Sequence, residues 1–195
     1  MSDEIEDFEK WNGPFEGPRV PFMYLDSIGL VTIGTGNLID PVSEALVLPF
    51  VRGSRLASQA EIGAVWHLVK SRQDLAVHGG MIFGSLPGND LRLGPDAMTA
   101  LFRRRYLTHR AALRARFPDY DTWPTEARWA MHSMAWALGP AWREDKWPRF
   151  TAAVRAQDWA TCAEQCRIRT IPDSNGRNQA NRRLFRCAAG LQPDV

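Results

Sequence analysis

The sequence predicts an α+β protein, with a small N-terminal lobe built on a β-hairpin and a mainly helical C-terminal lobe. Three observations predict it. Apolar residues recur at steps of three and four through most of the chain beyond residue 95. Two short apolar runs joined by a tight-turn signal lie between residues 21 and 33. The 195-residue length, with 45% hydrophobic and 24% charged residues, suits one domain. A chain this long buries roughly 70% of the surface its unfolded form exposes, so stability demands neither a metal nor a disulfide.

Residues 1–18 join an acidic lead to Gly13, Pro14, Gly17 and Pro18, which predicts a short first helix that stops near Trp11 and an irregular exit. Phe22-Met23-Tyr24-Leu25, then Asp26-Ser27-Ile28-Gly29, then Leu30-Val31-Thr32-Ile33 reads as a hairpin. Asp at the first and Gly at the fourth position suit a type I turn. Residues 34–56 read as loop with at most a short helical turn. Ser58-Gln59-Ala60-Glu61 has the spacing of a capping box, and Ile62, Val65, Trp66 and Val69 follow at helical intervals, so a helix is expected over about 59–73. Residues 76–93 are rich in Gly and turn residues and predict irregular structure or a second small hairpin.

Pro95 suits a first helical position, and Met98, Leu101, Phe102, Tyr106, His109, Leu113 and Phe117 trace one stripe of a long helix. Pro124 opens a helix that is apolar nearly all round and ends at Gly139-Pro140, which marks it as central and buried. Residues 147–156, 158–167 and 178–188 give three shorter helices. We read 1–195 as a single domain: a hairpin lobe with its connecting helix over 1–75, an irregular insertion over 76–92 and the helical lobe over 93–195.

Composition excludes several classes. No window approaches the roughly 18 apolar residues of a membrane span, so no membrane insertion is expected. The acidic N-terminus is unlike a secretory signal, which predicts a chain made in the cytoplasm that reaches any periplasmic or cell-wall site by another export route. Three cysteines without a C-x-x-C pair read as free thiols, and neither a metal nor an organic cofactor is expected. His67, His78, His109 and His132 share no ligand spacing. The net charge of +2 hides a crowd of arginines at 103, 104, 105, 110, 114 and 116. On a helix whose other face is apolar these read as a solvated face, or as an attraction to an anionic wall, rather than as a nucleic-acid site. Gly34-Thr35-Gly36 lacks the third glycine and the βαβ setting of a nucleotide loop. Most of the eight tryptophans fall in or beside the buried helices and read as core.

The chemistry-bearing constellation is near the N-terminus: Glu16 leaves the first helix, Asp26 sits at the hairpin turn and Thr32 on the returning strand. Glycoside hydrolysis needs one carboxylic acid that protonates the leaving oxygen and a second carboxylate that directs water. Glu16 and Asp26 could supply these roles; an acidic residue near a turn is otherwise a solvated turn residue.

Phe15-Glu16-Gly17 followed by YLDSIGLVTIGTGNL, residues 24–38, resembles the active-site signature of the phage-type lysozymes, the muramidases of glycoside hydrolase family 24. LGPDAMTALF, DYDTWPTEARWAMHSMAWALG and the tail from Phe150 to Arg186 extend the resemblance to roughly 140 residues. It implies a lysozyme-like fold and cleavage of the β-1,4 bond between N-acetylmuramic acid and N-acetylglucosamine in peptidoglycan. Glu16 would be the general acid, Asp26 the carboxylate that positions water, and Thr32 its helper. Gly36 and Asn37 would stand beside the sugar. Asn178, one turn before Asn181, would tie the last helix to the hairpin lobe or bind sugar.

Three departures stand out. Glu16 and Asp26 are ten apart where the family interval is nine, so Pro18 and Pro21 must accommodate an extra residue, and Glu9 is the reserve acid. Asn37 replaces the common His. Residues 40–92 are longer than in small phage lysozymes. The GNLID ending resembles lysozyme domains delivered into rival bacteria by contractile secretion machines. That resemblance implies a monomer acting on glycan strands, with an immunity protein or the secretion or phage machinery as protein partners. Competing readings are a non-catalytic wall-binding module of the same fold, a chitin-type glycosidase and a nucleic-acid-binding helical protein.

Overall fold

The computed structural model describes residues 2–192, which divide into two compact units. One comprises residues up to Phe15 together with those from Tyr106 onward; the other is Glu16–Arg105. The first helix is thus grouped with the C-terminal helices, and the division falls inside a later helix.

Helix α1 runs Ser2–Glu16, with Pro14 in its last turn, so it does not stop near Trp11. Packing inside the helical unit overrides the local breaker signals. Phe8 is fully buried and meets Trp11, Tyr106, Trp129, His132 and Trp136, while Trp11 packs edge-on to Phe15 one turn further. Asn175 Nδ2 donates to the Phe15 carbonyl at 3.0 Å, and the buried Arg177 guanidinium lies 5.3 Å from the Phe15 ring centroid. These contacts hold the final turn of α1, past the proline.

The second unit opens with β1 (Val20–Leu25), β2 (Val31–Gly34) and β3 (Asn37–Leu38), an antiparallel sheet in that order. Tyr24 faces Thr32 and Leu25 faces Val31, with an irregularity between Val20 and Tyr24, the stretch that holds Pro21. The expected turn is present: Gly29 N–H donates to the Asp26 carbonyl at 3.0 Å and Asp26 N–H to the Leu30 carbonyl at 3.0 Å. Gly29, at φ +78°, supplies the left-handed residue that such a three-residue loop requires.

The short helix α2 (Val42–Leu46) follows, then β4 (Phe50–Arg52) and β5 (Arg55–Leu56). Helix α3 (Gln59–Ser71) carries the expected capping box, Ser58 accepting from Glu61 N–H and Glu61 from Ser58 N–H. Residues 73–78 and 80–85 form two 3₁₀ turns, not a hairpin, and Asn89 ties the second to β1 by donating to the carbonyls of Phe83 and Met23 at 2.9 and 2.8 Å. β6 (Arg92–Leu93) completes a second sheet in the order β5-β4-β6, so residues 50–56 are a hairpin rather than loop. The unit's core gathers Met23, Leu25, Val31 and Ile33 from the first sheet, Phe50 and Leu93 from the second, and Val65, Trp66 and Val69 from α3.

Helix α4 (Pro95–Arg116) contains the boundary. Beyond it, the helical unit adds α5 (Thr125–Leu138), α6 (Pro148–Arg155), α7 (Trp159–Gln165) and α8 (Arg177–Ala188), close to the expected ranges. Eight α5 residues from Ala127 to Trp136 are buried, as its all-round apolar pattern predicts. Its neighbours bring Phe117, Trp123, Trp142, Phe150, Trp159 and Phe185 into one core. Cys162 and Cys166 are buried there, and burial pushes both thiols up to about 12, so they behave as small apolar residues. Among the described residues no helix is long and apolar enough to cross a membrane.

Candidate functional site

The sequence-predicted residues Glu16, Asp26, Thr32, Gly36 and Asn37 all belong to the unit 16–105. Their positions follow from local structure. Glu16 is the last residue of α1 and is half-buried. Asp26 heads the β1–β2 turn, and its Oδ1 accepts from the N–H groups of Ile28 at 3.0 Å and Leu30 at 2.9 Å. Both bonds fall on one oxygen, and Oδ2 accepts none from the described residues. The turn therefore fixes the carboxylate's orientation while leaving one oxygen available.

Thr32 is buried on β2 and donates its hydroxyl to the Leu30 carbonyl at 3.1 Å. With its proton so placed, the oxygen's lone pairs can accept from a further donor. Asn37 is buried and directs its Nδ2 at the Ile33 carbonyl at 3.5 Å, bracing the β2–β3 turn.

Gly36 is the point where the polar groups meet. At φ +74° it occupies the left-handed region, and a Cβ built on it would lie 3.8 Å from Glu16 Oε2 and 3.5 Å from Arg105 Nη1. Arg105 donates through Nη1 to the Gly36 carbonyl at 2.7 Å and reaches the Thr35 carbonyl at 3.4 Å. Glu16 and Arg105 thus flank the same backbone turn, at a position where glycine's freedom allows the left-handed conformation.

Two residues of this cluster escape the sequence reading. Tyr24, opposite Thr32, is half-buried, and desolvation pushes its phenol up to about 12; a backbone hydrogen bond from Gly36 and the Arg105 charge oppose the rise, and the Asp26 and Glu16 charges add to it. Desolvation thus keeps the Tyr24 hydroxyl protonated at neutral pH, within the electrostatic influence of both candidate carboxylates. Arg105 is the second, read from sequence only as one of a crowd of arginines. The crowd is in fact largely engaged: Arg104 meets Glu44 at 3.8 Å, Arg110 meets Glu4 at 3.9 Å, Arg114 meets Asp121 at 2.8 Å, and Arg116 meets Glu144 at 3.1 Å and lies 4.2 Å from the Trp142 centroid. Arg103, Arg104 and Arg114 are exposed, as a solvated face requires, while Arg110 and Arg116 are partly buried against acidic partners. No long-range partner is legible in a run of arginines, which is why Arg105 is not singled out by sequence.

An outer layer holds the Asp26 turn. Lys70, on α3, donates Nζ to the Gly29 carbonyl at 2.9 Å and to Asp40 Oδ2 at 2.6 Å, and Gln73 Nε2 donates to the same Gly29 carbonyl at 3.2 Å. Asp40 Oδ2 also accepts from Val31 N–H at 3.2 Å. Burial works to raise the Asp40 carboxyl, but the hydrogen bonds from Lys70 and Val31 outweigh it and hold the group below the usual carboxylate range.

Asn178 lies in the helical unit. Its Oδ1 accepts from Ile168 N–H at 2.8 Å, and its Nδ2 donates to the carbonyls of Ile168 and Ile171 at 3.2 and 3.3 Å. The amide is committed to anchoring the segment before α8, which replaces the sugar-binding expectation. Asn181, one turn on, points its Nδ2 at Met134 Sδ at 3.4 Å, within the same core. Glu9, the reserve acid, is in the middle of α1 and belongs to the helical unit. A cavity of about 750 Å³ in the helical unit, lined by Trp147, Phe150, Glu164, Arg167 and Arg169 among others, contains none of the predicted site residues. Among the described residues no group of three or more His, Cys, Asp or Glu side chains could hold a metal ion. No protein-family model matches the chain, and no curated protein sequence matches it.

Proposed function

We propose that the protein is a lysozyme-like peptidoglycan hydrolase that cleaves the β-1,4 bond between N-acetylmuramic acid and N-acetylglucosamine. The observation that carries this reading is that Glu16 and Arg105 flank the Gly36 turn while Asp26 is held at the β1–β2 turn of the same small sheet, in the order and secondary-structure setting of the signature that the sequence resembles. The irregular register between Val20 and Tyr24 adds support, because it falls where an extra residue between Glu16 and Asp26 has to be absorbed.

In this mechanism Glu16, in its protonated form, gives its proton to the glycosidic oxygen as the bond to the anomeric carbon breaks. Positive charge develops at that carbon. Asp26, held through Oδ1, uses Oδ2 to orient water and takes a proton from it as the new C–O bond forms. Thr32 accepts a hydrogen bond from that water, its own proton being directed at the Leu30 carbonyl. The products are a new muramic acid reducing end and the freed hydroxyl of the neighbouring sugar. Delivery by a secretion or phage machine, with an immunity protein as a partner, belongs to the same proposal and rests on the GNLID string alone.

The test is reducing-end release from purified peptidoglycan by the wild-type protein and by Glu16→Gln and Asp26→Asn, with products identified by mass and chito-oligosaccharides offered in parallel. Muramic acid ends released by wild type and lowered ~10²-fold or more in Glu16→Gln are expected, the range for removal of a general acid. Release from chitin alone would move the substrate class. Folded wild-type protein that binds the wall without turnover would leave a binding module.

A further inference from the structure

We infer that Lys70 is a positioning residue for the Asp26 carboxylate and acts through a single peptide group; the inference rests on the glycosidase reading for its consequence in turnover. The Gly29–Leu30 peptide presents its carbonyl to Lys70 Nζ at 2.9 Å and its N–H to Asp26 Oδ1 at 2.9 Å. The ammonium and the carboxylate therefore hold opposite ends of one planar amide. A cation at the carbonyl polarises the amide and strengthens its N–H as a donor, so the charge of Lys70 reaches Asp26 without contact between the two side chains.

The arrangement is braced on every side. Gln73 donates to the same carbonyl at 3.2 Å, one helical turn from Lys70. Asp40 fixes Lys70 at 2.6 Å and takes the Val31 N–H at 3.2 Å. Trp66, also on α3, donates Nε1 to the Ile39 carbonyl at 2.8 Å, so one helix face grips both the hairpin turn and the segment leading to Asp40. Lys70 is one-third exposed by its side chain and Asp40 about half of that, at 33% and 16%, so solvent screens the pair only in part. A lysine that served stability alone would need only the Asp40 carboxylate; the bond to the Gly29 carbonyl aims its charge along the turn.

The test uses the full chain with Lys70→Met, which removes the charge, and Lys70→Arg, which keeps it. Near-ultraviolet circular dichroism checks the fold. In Lys70→Met the Leu30 amide proton should move upfield and its exchange with solvent should accelerate about tenfold as its hydrogen bond weakens. On soluble glycan strands kcat should fall about tenfold while KM stays within about twofold, because orientation of Asp26 matters in the transition state and not in binding. Lys70→Arg should recover most of both signals. An unchanged Leu30 amide in folded Lys70→Met overturns the inference whatever the activity. A shifted amide with unchanged kcat overturns the catalytic role. If wild type lacks turnover, the glycosidase reading fails by itself, and the amide signal still decides whether Lys70 orients Asp26. Should Lys70→Met fail to fold, Gln73→Ala removes the second donor to the same carbonyl and is expected to move the Leu30 amide in the same direction by less.

Discussion

At the scale of single residues, Gly36 carries the sharpest constraint. Its φ of +74° costs a side chain about 1–2 kcal/mol, and the position of its absent Cβ lies within 4 Å of both Glu16 and Arg105. Gly36→Ala should therefore lower stability by about 1 kcal/mol in urea denaturation and reduce glycan cleavage by more than that loss explains, because the strained turn carries the carbonyl that Arg105 binds and a methyl group is set against both the acid and the cation. Activity equal to wild type at a temperature where both proteins are folded would show that the Gly36 turn takes no part in cleavage. Tyr24 offers a complementary test. Its hydroxyl stays protonated, is hydrogen-bonded by the Gly36 backbone and feels the charges of both carboxylates, so Tyr24→Phe should lower kcat/KM while leaving the fold intact, since the ring continues to pack on Gly80. An unaffected kcat/KM would assign the hydroxyl to the Gly36 backbone alone.

At the scale of elements, two helices illustrate how local and distant forces divide. Helix α3 begins with a reciprocal box between Ser58 and Glu61, and Glu61 also pairs with Arg52 and Arg55; the hydrogen bonds from Arg55 and from the Ser58 backbone hold its carboxyl well below the usual range. Ser58→Ala should cost about 1 kcal/mol, the ordinary loss of an N-cap. Helix α1 has no comparable local support past Trp11, and depends on Phe8, which is fully buried among five aromatic rings. Phe8→Ala should cost about 3–5 kcal/mol and fray the end of α1, which hydrogen exchange would locate. The same contrast explains what the sequence could reveal. The helices α3, α4 and α5 and the Asp26 turn are written locally, in a capping box, a stripe, a terminal proline and an Asp-to-Gly spacing. The hairpin of residues 50–56 has strands of two and three residues, too short to show alternation, and forms because Phe50 pairs with the distant Leu93. The candidate carboxylates were legible as a motif, whereas Arg105 and Lys70 were not, because their partners are backbone carbonyls about 70 and 41 residues away. Backbone acceptors leave no mark in a sequence.

At the scale of the whole molecule, each unit has its own core, and the helical one contains a titratable group that links its stability to pH. His132 is fully buried, stacked on Tyr106 at 4.1 Å with the rings 4° from parallel, and edge-on to Tyr120 at 5.9 Å. Burial, aided by the charges of His109, Arg110 and Arg128, pushes its imidazole down to about 3. In the unfolded chain the same imidazole titrates near 6.5. Between those values the unfolded state binds the extra proton, so the stability tied to neutral His132 is whole above about pH 6.5 and is lost as the pH falls, by up to about 1.4 kcal/mol per pH unit. The carboxylates held low by hydrogen bonds, Asp40 among them, add a loss of the same sign only at more acid pH. The window from about pH 6.5 to 4.5 therefore isolates the histidine. Seven of the eight tryptophans lie in the helical unit, so tryptophan fluorescence during urea unfolding reports on the unit that holds His132. His132→Phe keeps an aromatic ring against Tyr106 and Phe8 but binds no proton, and its unfolding midpoint should vary much less across that window than the wild-type midpoint does. Equal slopes for the two proteins would mean that His132 accepts its proton within the folded core, and that the stacked pair with Tyr106 does not exclude charge from the centre of the helical unit.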